Sequence, residues 1–224
     1  MNDVLLLIDK AADWTSHDVV NRVRKICNTR RVGHAGTLDP FATGLLILGV
    51  GKATKELTAL VGLDKTYEAT ATLGATTTTF DTEGEVIPTD MIGKEQPTIE
   101  DIERAFDQFR GSYTQLAPIF SAKKIKGKKL YDLARAGKAT EEMRPSKLVT
   151  IKELTVIDYS WPVLRFQVTC SSGTYIRSLA DDIGRALGCG AYLTALRRLK
   201  IGEYDVKDAK TLDQLKPLDG ATKN

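Results

Sequence analysis

The sequence predicts a single domain of mixed α and β structure, and three observations support this. Residues 66–73 alternate apolar and polar side chains, which is the period of a strand with one buried face. Apolar residues recur at helical spacing in residues 19–26 and again in residues 176–187. The 224 residues contain no internal repeat and no low-complexity linker, and this length suffices for one domain with a substantial core.

Local patterns define the elements in the first third of the chain. We expect a buried strand over Val4–Ile8, a helix capped by Ser16, and a short apolar strand over Leu45–Leu48. Tyr67 shares its strand face with alanines, which are too small to cover an aromatic ring. We therefore expect the ring of Tyr67 to border a cavity.

The rest of the chain alternates turns, helices and strands. The threonine-rich residues 74–85 favour a polar turn, and Thr98 begins a T-x-x-D pattern that is typical of a helix start. Within residues 121–147 we expect a mobile basic arm with one short helix near Leu130–Ala136. The remaining predicted elements are strands over Val149–Val156 and Leu164–Cys170, a helix after Gly173, and a strand or helix-to-strand segment in residues 193–206.

The cysteines and the hydropathy pattern favour a cytoplasmic protein that has no contact with a membrane. Cys27, Cys170 and Cys189 are odd in number, far apart and outside any CxxC pair, so we expect no disulfide framework and no zinc knuckle. The apolar start of the chain lacks a basic leader and resembles a strand more than a signal peptide. No stretch approaches the roughly 18 apolar residues that a membrane helix needs.

Charge is segregated along the chain, although the formal net charge is only +3. Residues 21–36 carry five Arg or Lys and no acid, and residues 121–147 carry nine Arg or Lys and three acids. Residues 81–107 reverse the balance, with nine acids and two bases. Such segregation favours a polyanionic partner that contacts one cationic surface. The alternative, that the lysine runs are simply solvated surface, stays open.

Two other kinds of site fit the sequence poorly. Residues 49–54, GVGKAT, resemble a phosphate-binding loop, but Leu46 and Ala53 stand where the pattern requires glycine and serine or threonine. A nucleotide triphosphatase is therefore disfavoured. His17 and His34 are the only histidines and lack companions at metal-binding spacing, so no metal is expected. We expect His34 to lie in a flexible turn and to contact either a substrate or the backbone.

Asp39 lies in GHAGTLDP, residues 33–40, between a cationic and an apolar segment. An Asp-Pro pair often does no more than start a turn, and this structural alternative stays open. Pro40 would hold the aspartate extended, and Gly36 and Gly44 would allow another backbone to approach. Nearby cations would favour the ionised carboxylate, which is the form that a nucleophile or a base requires.

Arg177 lies in the first turn of the helix predicted after Gly173, where the helix dipole disfavours a cation by a few tenths to about 1 kcal/mol. A nearby anion would offset this cost, and it would be a phosphate or a carboxylate such as Asp39. Chance placement is the alternative, because surface helices tolerate costs of this size.

Four segments occur along the chain in this order: GHAGTLDPFATGLLILGVGKATK, DKTYEATATLG, SAKKIKGKKLYDLARAG and CSSGTYIRSLADDIGRALGCGAYLTALRRLKIG. Together they resemble the TruB family, the tRNA pseudouridine-55 synthases, over Leu5 to about Leu215. The resemblance implies an α+β pseudouridine-synthase fold, in which helices flank a mixed, mainly antiparallel sheet and a basic RNA-gripping arm is inserted at about residues 110–147. It also implies one catalytic domain over residues 1–224. Many bacterial members of the family carry a small RNA-binding (PUA) domain after the catalytic one, and we expect this chain to depart from them by lacking it.

The resemblance also implies a role for each matching residue. Asp39, in the family's G-H-x-G-x-L-D-P motif, would be the catalytic aspartate, and Arg177, in G-T-Y-I-R, would pair with it. Tyr67, in K-x-Y, would stack on the target base and assist proton removal. Other residues would line the target-nucleotide pocket or lie near it: His34, Tyr175, Leu196, Lys10 and Asp81.

The implied activity is the isomerisation of uridine 55 in the tRNA T-loop to pseudouridine, by base flipping and a covalent aspartate intermediate. The implied protein is a monomer that needs no cofactor and no metal, and its expected partner is the T-stem-loop of tRNA. RNA contacts would come from Lys123, Lys124, Lys126, Lys128 and Lys129. The alternative is a tRNA-binding or tRNA-folding protein without chemistry. A glycosidase is disfavoured, because no second carboxylate has a clear acid role.

Overall fold

The computed structural model describes residues 3–91, 95–119, 124–125, 128–129, 140 and 143–215. In chain order its strands are β1 (Val4–Lys10), β2 (Val32–His34), β3 (Thr43–Val50), β4 (Lys65–Leu73), β5 (Ala75–Thr77), β6 (Val86–Pro88), β7 (Gly111–Leu116), β8 (Lys124–Ile125), β9 (Lys128–Lys129), β10 (Ser146–Ser160), β11 (Val163–Cys170), β12 (Ala191–Ile201) and β13 (Tyr204–Asp205). Its α-helices are α1 (Ser16–Ile26), α2 (Leu57–Val61), α3 (Ile99–Asp107) and α4 (Ile176–Ala186). The predicted mixture of α and β structure is confirmed.

The chain divides into two compact units. Unit 1 comprises Met1–Glu68 with Ala195–Asn224, and unit 2 comprises Ala69–Thr194. Strands β4 and β12 each contribute residues to both units. Asp39 therefore belongs to unit 1 and Arg177 to unit 2.

The sheet of unit 1 is built around β3. This strand pairs antiparallel with β1 and with β2, and parallel with β12, where Arg198 lies opposite Gly44. From Gly44 onward every residue of β3 is buried, which explains its continuous apolar run. One side of the sheet packs on α1 through Ile8, Val19, Val20, Val23, Val32, Leu46, Leu48 and Val50. The other apolar cluster comprises Ala35, Leu45, Ile47, Leu57, Leu60 and Ile201.

Helix α1 begins with a different cap from the one predicted. Thr15 is the N-cap: its hydroxyl accepts a hydrogen bond from the Asp18 N–H, and the Asp18 carboxylate accepts one from the Thr15 N–H. The prediction that Ser16 caps the helix is therefore wrong. The sequence T-S offers two caps, and the acid three residues after threonine completes a capping box. Ser16 is instead the first helical residue, and its buried hydroxyl bonds to the backbone of Leu38.

The sheet of unit 2 has the strand order β12–β4–β11–β10–β7. The predicted strands are confirmed, and β10 pairs antiparallel with both β11 and β7. β4 shows the predicted alternation, with every second residue buried. Both predicted helices are present, and α3 places Phe106 edge-on against Phe166 of β11, with ring centroids 5.8 Å apart.

Three further segments have separate outcomes. The polar turn predicted for residues 74–85 contains a strand as well, because β5 pairs with β6 in a short hairpin. The segment 193–206 is strand throughout its first half, and β12 turns at Gly202 to pair with β13. The helix predicted near Leu130–Ala136 lies outside the described residues. Within residues 121–147, where the basic arm was predicted, the structure describes the antiparallel pairing of β8 with β9, residue 140, and residues 143–147, the last two of which begin β10.

We predict that Gly44→Ala strongly destabilises the protein. Gly44 has φ +98°, and a Cβ at this position would lie 2.3 Å from the carbonyl oxygen of Arg198. Because the left-handed backbone and the steric overlap both oppose alanine, we expect the free energy of unfolding to fall by about 3–5 kcal/mol. Urea denaturation followed by circular dichroism measures this loss.

Gly188→Ala is the matched control. Gly188 has φ +70°, but a Cβ there would meet no atom of the described residues within 4 Å. The control therefore reports the backbone strain alone, and we expect it to cost about 1–2 kcal/mol. Equal losses in the two variants would contradict the steric explanation.

Candidate active site

Asp39 lies in the segment of residues 35–42 that joins β2 to β3, called here the Asp39 turn. The residue is half-buried, and its carbonyl accepts a hydrogen bond from the Ala42 N–H at 3.1 Å. Gly36 has φ +103°, a conformation that L side chains rarely adopt. The close backbone approach predicted at Gly44 is confirmed by its pairing with β12.

A buried guanidinium holds the first part of the Asp39 turn. Arg198 donates hydrogen bonds to the carbonyl oxygens of Leu45 at 2.7 Å, Gly36 at 3.1 Å and Thr37 at 3.4 Å. The side chain is almost fully buried, so these carbonyls replace the water that a cation would otherwise require. Arg198 therefore links β12 to the residues that precede Asp39.

A buried ammonium holds the other end of the Asp39 turn. Lys10 Nζ donates to the carbonyl oxygens of Ala11 at 2.9 Å, Trp14 at 2.6 Å and Pro40 at 3.0 Å. Burial lowers the pKa of Lys10 to about 8, and the nearby Asp39 carboxylate opposes this shift. The family resemblance implies that Lys10 lies near the nucleotide pocket. In the structure its ammonium group is near enough to Asp39 for the two charges to attract each other.

His34 ends strand β2 rather than lying in a flexible turn, because it pairs with Leu48 of β3. The pKa of His34 is lowered mainly by burial and to a smaller extent by the positive charge of Arg198. A backbone hydrogen bond with Gly36 acts in the opposite direction. The imidazole is therefore mainly neutral at neutral pH. Its buried Nδ1 has no hydrogen-bond partner within the part of the chain that the structure describes.

Tyr67 and Leu196 are the other predicted site residues of unit 1. Tyr67 lies on β4 and Leu196 on β12, and both side chains are buried. Tyr67 occupies the buried phase of its strand, next to Ala69 in that alternation. The cavity predicted beside its ring stays a prediction.

In unit 2, Arg177 has the anionic partner that its position in the first turn of α4 requires. Its Nη1 donates to Asp81 Oδ2 at 2.9 Å and to the carbonyl of Thr79 at 2.9 Å. The pair is buried, with side-chain exposures of 7% and 2%. Asp81 Oδ1 also accepts bonds from the Thr79 hydroxyl at 2.5 Å and from the Glu83 N–H at 3.0 Å. The predicted pairing of Arg177 with Asp39 involves the other unit and stays a prediction.

Tyr175 is held by a buried amide. Gln115 Oε1 accepts from the Tyr175 N–H at 2.8 Å, and Gln115 Nε2 donates to the Tyr175 carbonyl at 3.1 Å. The same Nε2 donates to the Tyr113 hydroxyl at 2.6 Å, and that hydroxyl donates to Asp182 at 3.4 Å. Gln115 therefore fixes the backbone of the N-cap residue of α4, two positions before Arg177.

The lysines predicted to bind RNA are only partly described. Lys124, Lys128 and Lys129 are described through the backbone pairing of β8 with β9. Lys123 and Lys126 lie outside the described residues, so the RNA-binding role of all five lysines stays a prediction. Among the described residues, no three His, Cys, Asp or Glu side chains group as metal ligands would. In the same part of the chain, no helix has the length and apolar character required to cross a membrane.

Comparison with known proteins assigns the chain to a family. The TruB family pseudouridylate synthase N-terminal domain matches residues 24–176, and the tRNA pseudouridylate synthase B C-terminal domain matches residues 177–222. The chain belongs to the TruB family of pseudouridylate synthases. The resemblance noted in the sequence and the enzyme class that it implies are therefore confirmed.

Curated relatives agree with membership of the TruB family. The tRNA pseudouridine synthase B of Solibacter usitatus is 46% identical over 216 residues, which cover 96% of this chain and 72% of the relative. The protein of the same name from Thermobifida fusca is 48% identical over 226 residues, which cover 96% and 75%. The one from Clostridioides difficile is 43% identical over 215 residues, which cover 96% and 70%.

Solved structures support the fold of this TruB-family chain. A chain from a Cbf5–Nop10–Gar1 complex has a TM-score of 0.71 and 28% identity, over 94% of this chain and 53% of that chain. A chain from an H/ACA RNP bound to a substrate RNA containing 2′-deoxyuridine has a TM-score of 0.70 and 26% identity, over 94% and 51%. This chain thus spans about half the length of these solved chains. The structural match, together with membership of the TruB family of pseudouridylate synthases, confirms the predicted pseudouridine-synthase fold.

Sequence reasoning missed two residues of this TruB-family chain that fix the backbone near predicted site residues, Arg198 in unit 1 and Gln115 in unit 2. Arg198 and Gln115 are both buried on strands, Arg198 two residues after Leu196 and Gln115 two residues after Tyr113. These residues could have been found because each places a charged or amide side chain at a strand position whose alternation with its neighbours predicts a buried, apolar residue. Such a side chain must find several hydrogen-bond partners when it is buried.

We predict that Asp182→Asn stabilises the protein at neutral pH. Burial, followed by the charge of Asp181, raises the pKa of Asp182 from 3.8 to about 6. Over this interval the folded state binds a proton that the unfolded state has released, so wild-type stability falls as the pH rises through it. After discounting for partial exposure, we expect the variant to unfold with about 1–2 kcal/mol more free energy at roughly pH 7.5. Urea denaturation measures the difference.

The advantage of Asp182→Asn should disappear at about pH 4, where the folded wild type already carries a neutral carboxyl group. Asp213→Asn, at an exposed carboxylate, is the control and should change the free energy of unfolding by less than about 0.5 kcal/mol at either pH. An equally large gain at both pH values would show that burial of the charge is not the cause.

Proposed function

We propose that this TruB-family enzyme converts uridine 55 in the T-loop of tRNA to pseudouridine, with Asp39 forming the covalent intermediate. Its curated relatives carry the name tRNA pseudouridine synthase B. The observation that carries the proposal is the Asp39 turn, where Arg198 and Lys10 hold the backbone on either side of one half-buried carboxylate. A nucleophile requires such a fixed and accessible position.

The reaction rearranges one nucleoside without adding a group. The bond between N1 and C1′ breaks, the base turns, and a bond forms between C5 and C1′. The proton on C5 is released, and N1 gains a proton. The nucleoside as a whole neither loses nor gains electrons, so the balance requires neither a redox cofactor nor a nucleotide energy source. Asp39 attacks either C1′ or the base, and its bond to the nucleoside breaks again when the product forms.

Base flipping sets the energetic requirement on the pocket. Moving a uridine out of its stack costs a few kcal/mol, and stacking on an aromatic ring returns about 1–3 kcal/mol. Tyr67 is the proposed stacking residue and the proposed aid to proton removal from C5. His34, Tyr175 and Leu196 are proposed to line the same nucleotide pocket.

Arg177 is proposed to orient the Asp39 carboxylate. The proposal depends on the G-T-Y-I-R motif. In unit 2 the Arg177 guanidinium is held by its buried pair with Asp81. A guanidinium has five N–H donors, so it can bind two carboxylates at once. Asp81 would then position Arg177, and Arg177 would position Asp39.

The proposal also covers the domain organisation, oligomeric state, location and partner of the protein. We propose one catalytic domain that covers both units and acts as a monomer in the cytoplasm. Its partner is the T-stem-loop of tRNA, and the basic arm supplies contacts to phosphate. The chemistry proceeds without a metal or a cofactor.

Asp39→Asn tests the nucleophile. Because an amide of the same size cannot attack, we expect release of tritium from tRNA labelled at uridine C5 to fall by about 1,000-fold or more. tRNA binding, measured by filter retention, should change by less than about twofold, since the fold and the cationic surface are retained. Asp213→Asn is the control and should release label at the wild-type rate. Release by Asp39→Asn at the wild-type rate would contradict the proposal, and release by neither wild type nor variant would favour a tRNA-binding protein without chemistry.

Neutralising the basic arm tests its role. We expect the joint replacement of Lys123, Lys124, Lys126, Lys128 and Lys129 by glutamine to weaken tRNA binding and to flatten its dependence on salt. The slope of log K against log[salt] should fall by about 0.7–0.9 for each phosphate contact that is lost. The rate at saturating tRNA should stay close to that of the wild type.

The control for the arm replaces the exposed residues Lys207 and Lys210 by glutamine and should leave the slope almost unchanged. Wild-type affinity after neutralisation of the arm would rule out its proposed contact with RNA.

A further inference from the structure

The residue before Asp39 has its backbone satisfied by a single side-chain atom. Ser16 Oγ accepts a hydrogen bond from the Leu38 N–H at 2.9 Å and donates one to the Leu38 carbonyl at 3.1 Å. Ser16 is 3% exposed and Leu38 is 4% exposed, so water has little access to either group. One hydroxyl, 22 residues earlier in the chain, therefore fixes both backbone polar groups of Leu38, the residue that leads into Asp39.

The helix to which Ser16 belongs does not require this hydroxyl. Thr15 caps α1, and its reciprocal bonds with Asp18 complete the capping box. Ser16 thus differs from Thr15 in what its hydroxyl does, although the two residues are adjacent. This separation allows the capping of the helix and the holding of the Asp39 turn to be perturbed independently.

The bonds from Ser16 complete a set that surrounds Asp39. Arg198 holds the carbonyls of the two residues before Leu38, and Lys10 Nζ and the Asp13 N–H both donate to the carbonyl of Pro40. The residues on both sides of Asp39 are therefore tied to other elements of unit 1. Ser16 is the member of this set whose removal changes no charge near the carboxylate.

We propose that Ser16 is a positioning residue for Asp39: its hydroxyl sets the path of the backbone at Leu38 and hence the place from which the carboxylate attacks. This inference depends on the proposed function, in which Asp39 is the nucleophile. Displacement of a catalytic group by about 1 Å can cost about 100-fold in rate, even when the substrate binds normally. Ser16 is not a catalytic residue, since it acts through the backbone of Leu38.

The test compares Ser16→Ala with Thr15→Ala in the full chain. Single-turnover assays with C5-tritiated tRNA and excess enzyme measure the rate of the chemical step, and filter binding measures the Kd for tRNA. We expect Ser16→Ala to lower the rate by about 10- to 100-fold and to change Kd by less than about twofold. Thr15→Ala removes a neighbouring hydroxyl and weakens the start of the same helix, so it should lower Tm but change the rate by less than about threefold.

A second variant gives a graded result. Ser16→Cys places a weaker donor and acceptor at the same position, so its rate should fall between those of wild type and Ser16→Ala. It also serves if Ser16→Ala does not fold at the assay temperature. A rate for Ser16→Ala equal to that of Thr15→Ala would overturn the assignment, because general destabilisation would then explain the loss. If Ser16→Ala does not fold, a rate for Ser16→Cys equal to that of Thr15→Ala overturns it instead. A change in Kd that accounts for the whole effect would overturn it as well.

Amide hydrogen exchange separates this inference from the proposed function. The Leu38 N–H bonds to Ser16, and the Ala42 N–H bonds to the Asp39 carbonyl. Ser16→Ala should accelerate exchange at both amides by at least about tenfold, and Thr15→Ala should not. Unchanged exchange overturns the positioning role even in an active enzyme. If Ser16→Ala accelerates exchange but the wild-type protein forms no pseudouridine, the structural link between Ser16 and the Asp39 turn is supported and the proposed function is overturned instead.

Discussion

The backbone of the Asp39 turn has to be hydrogen-bonded away from water, and buried side chains do much of this work. Arg198 reaches the turn from β12, Lys10 from the end of β1, and Ser16 from the start of α1. Each of these elements is anchored in the apolar packing of unit 1. The position of the carboxylate therefore depends on the packing of the whole unit, and not on the short motif that contains it.

In both units, hydrogen bonds to oxygen atoms of the protein hold buried cations in place. A cation taken out of water is tolerated when carbonyls or carboxylates replace its hydration, and Lys10 and Arg198 each have three carbonyls in their surroundings. Arg177 instead uses a carboxylate, that of Asp81, together with one carbonyl. Buried ion pairs contribute little net stability but cost about 3–5 kcal/mol when one partner is removed. In this protein the Arg177–Asp81 ion pair fixes the position of the Arg177 guanidinium, whereas Lys10 and Arg198, which bond to carbonyls, fix the backbone of the Asp39 turn.

The sequence was informative wherever the signal is local. Alternation over residues 66–73 and the capping box at Thr98 predicted elements that the structure confirms, because strand and helix periods are read from adjacent residues. Asp39 could be singled out in the same way, from an Asp-Pro pair flanked by glycines, and the family motif implies a catalytic role that stays a prediction. The prediction that Ser16 caps α1 was wrong because Thr15 and Ser16 both carry a hydroxyl that can cap a helix, and the structure uses Thr15.

The residues that support the site could not be predicted in this way. Ser16 bonds 22 residues away, Gln115 bonds 60 residues away, and Arg198 bonds up to 162 residues away. No local pattern specifies a partner at such a separation. What the sequence does show is a polar residue where an apolar one is expected, which indicates that partners exist without naming them.

The long separation between β3 and β12 has a consequence for biosynthesis. Arg198 bonds to the carbonyl of Leu45, 153 positions earlier, so the early strands leave the ribosome long before the strand that completes their sheet. Until then the apolar β3 lacks one neighbour, and a nascent chain in that condition is prone to wrong associations. The Asp39 turn is consequently among the last parts of unit 1 to reach its final structure. A chain interrupted before β12 would contain the whole GHAGTLDP motif and yet lack Arg198, whose hydrogen bonds hold the residues that precede Asp39.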